Sequence, residues 1–290
     1  MFILRDDFII YLYRGYFNFN GKIFKEDAAI IGPGNRGLRY GDGLVETMKC
    51  VNGTILFEDE HFARLWKGMQ ILQFDKLKHF TPSVLSEQIQ ELVQKNSLQK
   101  YVRIRVQVFK GDGGLYDAKN NFPNYVIQVW ELAEGNESLN NNGLITGIYR
   151  DVRKSCDAIS NIKHSNYLPY AMAALHAKKE KWNDAIILNS ASNICDSTIA
   201  NVFIIKDGIL KTPALQEGCI AGVMRKNIIK KLLAAGWIIE ETSITENELK
   251  SADEIFLCNV IYNIRWVKQI DEVEFVNISI PKIYAELFDN

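Results

Sequence analysis

The sequence predicts an α+β fold in two parts, and three observations carry that expectation. Two Asn-Gly pairs, Asn20-Gly21 and Asn52-Gly53, each lie between apolar or alternating runs (IIYLYRGYFNF before GKIF; LVETMKCV before TILFE), a strong short-range signal for an antiparallel hairpin. The stretch 133–143, AEGNESLNNNG, is the most polar and Gly/Asn-rich in the chain and reads as a linker. Beyond it, β-rich runs alternate with helical patterns. Residues 1–132 are therefore expected to form a smaller N-terminal α/β domain on an antiparallel sheet. Residues 144–290 are expected to form a larger β-rich C-terminal domain with flanking helices.

The elements follow in order. After the two hairpins, Phe62, Leu65, Met69 and Leu72 recur at helical spacing, which predicts a helix with one buried face over 57–74. A second helix is expected from Pro82 to Lys95. YVRIRVQVF and NYVIQVWEL are strands, and alternation in the first puts Arg103 and Arg105 on one face, either solvated or turned toward an anion. In the second part LITGIYRDVR, DAIILNS, NVFIIKDGILKT, WIIEETSI and EIFLCNVI are strands, and Asp207-Gly208 is a tight hairpin. Helices are expected at Tyr167 to Lys181 and Val223 to Ala235, with Gly236 just past the end of the latter. Thr245 and Glu248 have the spacing of a capping box.

Composition narrows the function. The 290-residue chain is 47% hydrophobic, enough for sizeable cores. Its 34 basic and 35 acidic side chains leave no basic surplus for nucleic acid or an anionic membrane. Cys50, Cys156, Cys195, Cys219 and Cys258 are odd in number and widely spaced, with no C-x-x-C pair, so buried free thiols are expected rather than disulfides or a zinc site. Cys195 reads as packing, and His164, with no potential ligand nearby in sequence, as a structural histidine rather than a metal ligand. Arg5, Asp6 and Asp7 interrupt any signal-peptide core, and no stretch reaches the roughly 18 apolar residues of a membrane helix. A cytoplasmic protein is expected.

One lysine stands out. In SNIKHSNYLPYAMAALHAKKE, Lys178, Lys179 and Lys181 suit the negative end of a helix. Lys163 precedes that helix, where a positive charge is disfavoured, between an apolar approach (Ala158, Ile159, Ile162) and an expected inward face of Leu168, Met172 and Leu175. Partial desolvation there would favour the uncharged, nucleophilic amine.

The motifs then become recognisable together. RGLRYGDGLVETMKCVNGTILFEDEHFARL combines an R-G-x-x-Y-G-D-G turn, an E-T strand, a hairpin and H-x-x-R-L on a helix. IKHSNYLP, DAIILN, STIANVF, KTPAL, GVMRKNI and SADEIFLCN follow in order. The series, from about Asn20 to Asp271, resembles the fold-type IV pyridoxal-phosphate enzymes, the class IV family of branched-chain and D-amino acid aminotransferases and aminodeoxychorismate lyase. The resemblance implies pyridoxal 5'-phosphate as cofactor, a small-molecule amino substrate and a homodimer with the site near the domain junction. It makes Lys163 the catalytic Schiff-base lysine, assigns Arg64 to the cofactor phosphate together with Val223, Met224, Asn259 and Val260, and places Tyr167 at the cofactor's phenolate oxygen. Arg64 is otherwise a surface helix residue and Tyr167 a core tyrosine.

Two positions depart from the pattern. Where the family usually carries Glu to pair with the pyridine nitrogen, five residues before Asn201, this chain has Asp196, one methylene shorter. As a bare local feature Asp196 is a turn or cap residue. Asn35 replaces the Asp that usually precedes Arg-Gly. The C-N pair in FLCNV and the IKH block favour an aminodeoxychorismate lyase, releasing 4-aminobenzoate for folate synthesis and pyruvate. An aminotransferase on branched-chain or D-amino acids is the alternative, and a degenerate member with a binding role the third reading. Substrate-reading side chains are expected on loops such as KGDGGLYDAKNN.

Overall fold

The computed structural model describes residues 15–135 and 138–288. The apolar start of the chain therefore lies outside the described residues, up to residue 14. Two sheets organise the rest. The first has six strands in the order β2-β1-β6-β5-β3-β4, every pairing antiparallel. Its strands are β1 (Tyr16–Phe19), β2 (Lys22–Lys25), β3 (Gly43–Val51), β4 (Thr54–Ile55), β5 (Tyr101–Lys110) and β6 (Pro123–Glu131). Both Asn-Gly hairpins form as expected. Asn20 and Gly21 have φ of 50° and 82°, and Asn52 and Gly53 have 48° and 81°, the left-handed pair that matches strand twist.

Three helices belong to this part: α1 (Arg36–Tyr40), α2 (Glu58–Ile71) and α3 (Pro82–Lys95). Phe62, Leu65 and Met69 of α2 and Leu85, Ile89 and Leu92 of α3 pack with Met48, Ile104, Val106 and Ile127 of the sheet into one core. Thr81 caps α3 through its side chain, with Pro82 in its first turn. Asn35 caps α1 by accepting from the Leu38 N–H and donates to the Lys110 carbonyl at 3.4 Å. That second bond requires an amide and is closed to an ionised Asp.

The second sheet is mixed: β7 (Leu144–Lys154), β8 (Asp184–Asn189), β9 (Ile194–Ser197), β10 (Asn201–Lys206), β11 (Ile209–Pro213), β12 (Ile239–Thr242), β13 (Glu254–Asn259), β14 (Asn263–Ile270) and β15 (Val273–Glu274). Around it lie α4 (Leu168–Glu180), α5 (Val223–Ala234), α6 (Glu246–Lys250) and α7 (Ile280–Phe288). The fully buried runs DAIILN and NVFII are central strands without alternation. Phe203 and Phe256 face each other across β10 and β13 with stacked rings 4.8 Å apart. The Thr245/Glu248 capping box is present in full.

Three expectations change. Leu168, Met172 and Leu175 face outward at 67%, 40% and 62% exposure, and α4 buries Tyr170, Ala173 and Ala177 instead. Small residues let the helix lie close on β7 and β8, so the larger apolar side chains are left outside. The approach to Lys163 is only partly apolar, because Ala158 and Ile159 are exposed while Ile162 is buried. Cys156 is exposed, whereas the other four thiols are buried and all five are free. The polar stretch between β6 and β7 is also stitched down. Asn140 accepts from the Trp266 backbone N–H and, through its carbonyl, from the indole N–H. Among the described residues no helix is long and apolar enough to cross a membrane.

Gly147 on β7 shows how tightly α4 and its following turn close over the sheet. A Cβ there would lie 2.1 Å from the Trp182 ring. Gly147→Ala is expected to destabilise the fold by about 1–3 kcal/mol through overpacking, read as a lower urea midpoint at unchanged m-value.

Candidate active site

Strand β3 and the segment before α4 meet edge to edge. The Val45 N–H donates to the Lys163 carbonyl and the Ser165 N–H to the Gly43 carbonyl, each at 2.8 Å. The turn leading into β3 is built for close approach. Gly41 ends α1 in the left-handed region at φ 66°, and a Cβ on Gly43 would lie 2.4 Å from the Val108 carbonyl. Asp42 is held there by Arg36 at 2.7 Å and Lys110 at 3.6 Å.

Between the sheets lies a cavity of about 340 Å³. All eight residues singled out from the sequence line it: Arg64, Lys163, Tyr167, Asp196, Val223, Met224, Asn259 and Val260. Arg103 and Arg105 line it too, so their shared face of β5 turns inward. The loop KGDGGLYDAKNN contributes nothing to its wall. Asp112 and Lys119 border a separate cavity of about 760 Å³, and Tyr116 is fully exposed.

Each wall has a physical character. Lys163 is half-buried, with its Nζ 5.2 Å from the centre of the Tyr167 ring. The Tyr167 hydroxyl is buried without a hydrogen-bond partner among the described residues. Arg64 is anchored by Glu46, with Nε to Oε1 at 2.8 Å and Nη2 to Oε2 at 2.6 Å, and Nη1 donates to the Ala221 carbonyl at 3.1 Å. His61 Nδ1 lies 2.8 Å from Glu46 Oε2. Burial alone would raise the Glu46 carboxyl, but the Arg64 charge and hydrogen bond, with His61, bring it down to about 2. The E-T strand and the H-x-x-R-L helix are thus two halves of one buried ionic cluster.

Asp196, on β9, is 2% exposed. Its Oδ2 accepts from Lys154 Nζ at 3.1 Å, the Tyr170 hydroxyl at 2.9 Å and the Ile220 N–H at 3.0 Å. Its Oδ1 accepts from Asn201 at 2.8 Å. The far wall is the start of α5, which has no side-chain cap. A Cβ on the preceding Gly222 would lie 1.9 Å from Asn201 Oδ1, so the backbone stays bare there. Opposite it, the Asn259 side chain accepts from the Ile261 and Tyr262 N–H groups and fixes that turn.

Sequence reasoning did not find Lys154, Tyr170 or the pairing of Glu46 with Arg64. Lys154 and Tyr170 carry no motif; Glu46 was visible only as half of E-T. Among the described residues no group of His, Cys, Asp and Glu is placed to hold a metal.

A half-buried lysine, a buried acid and a bare helix start thus surround one cavity. The family profile described as amino-transferase class IV matches residues 43–270, and the chain belongs to that family, whose members depend on pyridoxal 5'-phosphate. The chain is 26% identical to a branched-chain-amino-acid aminotransferase of Salmonella typhimurium, over 89% of this chain and 86% of that protein. It is 24% identical to an aminodeoxychorismate lyase of Vibrio harveyi, over 89% and 94% respectively. Its fold matches the crystal structure of the Escherichia coli branched-chain amino acid aminotransferase with a TM-score of 0.84 at 23% identity, over 94% of this chain and 92% of that one.

The residues present fit the cofactor. The unpartnered Tyr167 hydroxyl, the remaining acceptor capacity of Asp196 Oδ1 and the uncapped start of α5 are polar groups of the kinds that a phenolate, a pyridinium and a phosphate require.

Glu46→Gln tests the ionic cluster. Because the folded carboxyl titrates near 2 against an ordinary 4.5, its contribution is fully present above pH 4.5 and disappears as pH falls toward 2. The variant is expected to be less stable by about 3 kcal/mol at pH 7, with the difference from wild type fading through that window. Denaturant midpoints at a series of pH values measure it.

Proposed function

We propose that the chain is an aminodeoxychorismate lyase-like enzyme, converting 4-amino-4-deoxychorismate to 4-aminobenzoate and pyruvate. The observation that carries the reading is the pair Arg103 and Arg105 on the cavity wall. Burial holds the Arg105 guanidinium below its ordinary range; Tyr167 works against that shift, and the Arg103 charge adds to it. Two crowded guanidiniums favour an anionic substrate and disfavour an aliphatic side chain. The proposed substrate carries two carboxylates, one on the ring and one on the enolpyruvyl group.

When bound, the cofactor supplies an aldehyde that takes the substrate amine and a ring that delocalises electrons from the neighbouring carbon. The chain's residues do the rest. Lys163 would be the residue that holds the cofactor through that aldehyde, and its amine, once free, would take the proton from the carbon bearing the substrate nitrogen. Enolpyruvate would leave from the adjacent carbon with the electron pair of the broken C–O bond as the ring becomes aromatic, and Lys163 would return the abstracted proton to its methylene carbon to give pyruvate. Arg64 and the N–H groups of Val223 and Met224, with the turn at Asn259 and Val260, hold the phosphate. Tyr167 donates to the phenolate oxygen, and Asp196 keeps the proton on the pyridine nitrogen.

The second reading is an aminotransferase acting on branched-chain or D-amino acids with 2-oxo acids. Its support is the likeness to a branched-chain-amino-acid aminotransferase reported above. Incubation with aminodeoxychorismate, and separately with amino acid and oxo acid pairs, decides between them. Release of 4-aminobenzoate and pyruvate supports the lyase; amino-group exchange without 4-aminobenzoate supports the alternative. A homodimer belongs to the proposal, and the exposed face of Leu168, Met172 and Leu175 is apolar surface suited to burial against a second copy.

Borohydride reduction of the loaded enzyme is expected to fix the cofactor on Lys163, and Lys163→Ala to lower turnover by about a thousandfold or more. Peptide mass spectrometry that places the adduct on another lysine refutes the assignment. Asp196→Asn is expected to retain cofactor while losing turnover, with Asp196→Glu well above Asn in steady-state rate. Comparable rates in the Asn and wild-type enzymes would make Asp196 a turn residue only.

A further inference from the structure

Lys154 stands immediately behind the acid of the site without lining the cavity. Its side chain is 6% exposed, and Asp196, its partner at 3.1 Å, is 3% exposed. An amine so deeply buried needs a reason, because desolvation works against its charge. Desolvation is the largest single influence and lowers the Lys154 pKa, but Asp196, with Cys195 and Cys219, outweighs it and the pKa is raised. The partition at the carboxylate is uneven. Among the described residues Oδ2 takes Lys154, Tyr170, the Ile220 N–H and, at 4.0 Å, the Cys195 thiol, whereas Oδ1 takes only Asn201.

Other titratable groups face this pair from every side. Tyr170 of α4 is pushed well above its ordinary value by burial and then by Asp196. Burial and Asp196 raise the Cys195 thiol on β9 and push Cys219, in the connection between β11 and α5, up to about 12. Burial pushes the Cys258 thiol up from β13, while the nearby Arg225 works against that shift and is itself bound to Glu241 at 2.6 Å. Burial and then Lys154 lower His164. Around neutral pH Tyr170 and the three thiols are uncharged, so Lys154 is the cation hydrogen-bonded to Asp196 among the described residues.

We propose that Lys154 is a positioning residue that fixes Asp196 by Oδ2, offers Oδ1 to the pyridine nitrogen and offsets part of the carboxylate charge, so that the ring nitrogen holds its proton less firmly than beside an unpaired acid. The proposal rests on the reading of Asp196 as the ring-nitrogen partner. It also gives the shorter acid a rationale: its reach is fixed by five donors, the Cys195 thiol at 4.0 Å among them, and its charge is moderated by one of them.

The test is a pH titration of the enzyme loaded with pyridoxal phosphate carrying 15N in the ring, followed by the 15N chemical shift. In Lys154→Met the pH at which the ring nitrogen loses its proton should rise by about one to three units, because a positive charge a few ångströms from the pair has been removed. Lys154→Gln, which keeps a donor without the charge, should shift in the same direction and is read if the methionine variant does not fold. Lys154→Arg should titrate like wild type. A folded Met or Gln variant with the wild-type titration point overturns the proposal. So does a charge-retaining Arg variant that shifts as far as Met does. The underlying reading fails separately: Asp196→Asn should move the ring-nitrogen titration downward, and if it leaves that titration unmoved, Asp196 is not the partner. If Asp196→Asn shifts it and Lys154→Met does not, the Lys154 proposal alone falls.

Discussion

The two halves of the molecule are registered by a short antiparallel contact, with Val45 donating to the Lys163 carbonyl and Ser165 to the Gly43 carbonyl. These bonds fix the backbone of Lys163 against the strand that carries Glu46 and Thr47. Arg64 adds a third tie by donating to the Ala221 carbonyl from the far side of the cavity. Backbone bonds of this kind tolerate little sliding, because a one-residue slip on β3 would turn Glu46 away from Arg64 and His61. The cavity is therefore a product of register, and the two glycines of the preceding turn are what allow β3 to come close enough.

Several buried charges in this protein are compensated by ion pairs, whereas Asp184 and Glu254 are met by hydroxyl or backbone N–H donors. Glu46 is matched by Arg64 and His61, Asp196 by Lys154, and Arg225 by Glu241. Such pairs add little net stability against apolar replacements of the same shape, but breaking one leaves an uncompensated charge in a medium that solvates it poorly. Two of these clusters touch the cavity, where a charged cofactor has to be held without a large rearrangement of solvent.

Much of this was legible in the sequence, for reasons that differ by element. Asn-Gly turns, a capping box and alternating strands are local features, so Asn20-Gly21, Thr245/Glu248 and the shared face of Arg103 and Arg105 could be read from neighbouring residues. The residues around the cavity were reached through ordered motifs, which record long-range packing that spacing alone does not. What was missed depends on tertiary contact. The inward side of α4 is set by how closely Ala173 and Ala177 lie on the sheet, which outweighs the size of Leu168 and Leu175. Lys154 carries no signal because its partner is 42 positions away. Within this chain the loop KGDGGLYDAKNN borders the second cavity, and a glycine-rich run does not encode which cavity it borders.

The irregularity near the end of β7 has a further meaning. Pairing with β8 passes from Tyr149–Ile187 to Lys154–Asn189, five steps along one strand against two along its neighbour. The intervening residues, 150–153, include Arg150, bound outward to Glu246 at 2.7 Å, before the chain returns Lys154 to the interior. Shortening or lengthening this detour would withdraw or reorient the amine behind Asp196 while leaving every residue of the cavity wall in place. The electronic character of the site is thus exposed to variation by insertion and deletion, a route by which related chains can diverge in chemistry while their binding surfaces stay the same.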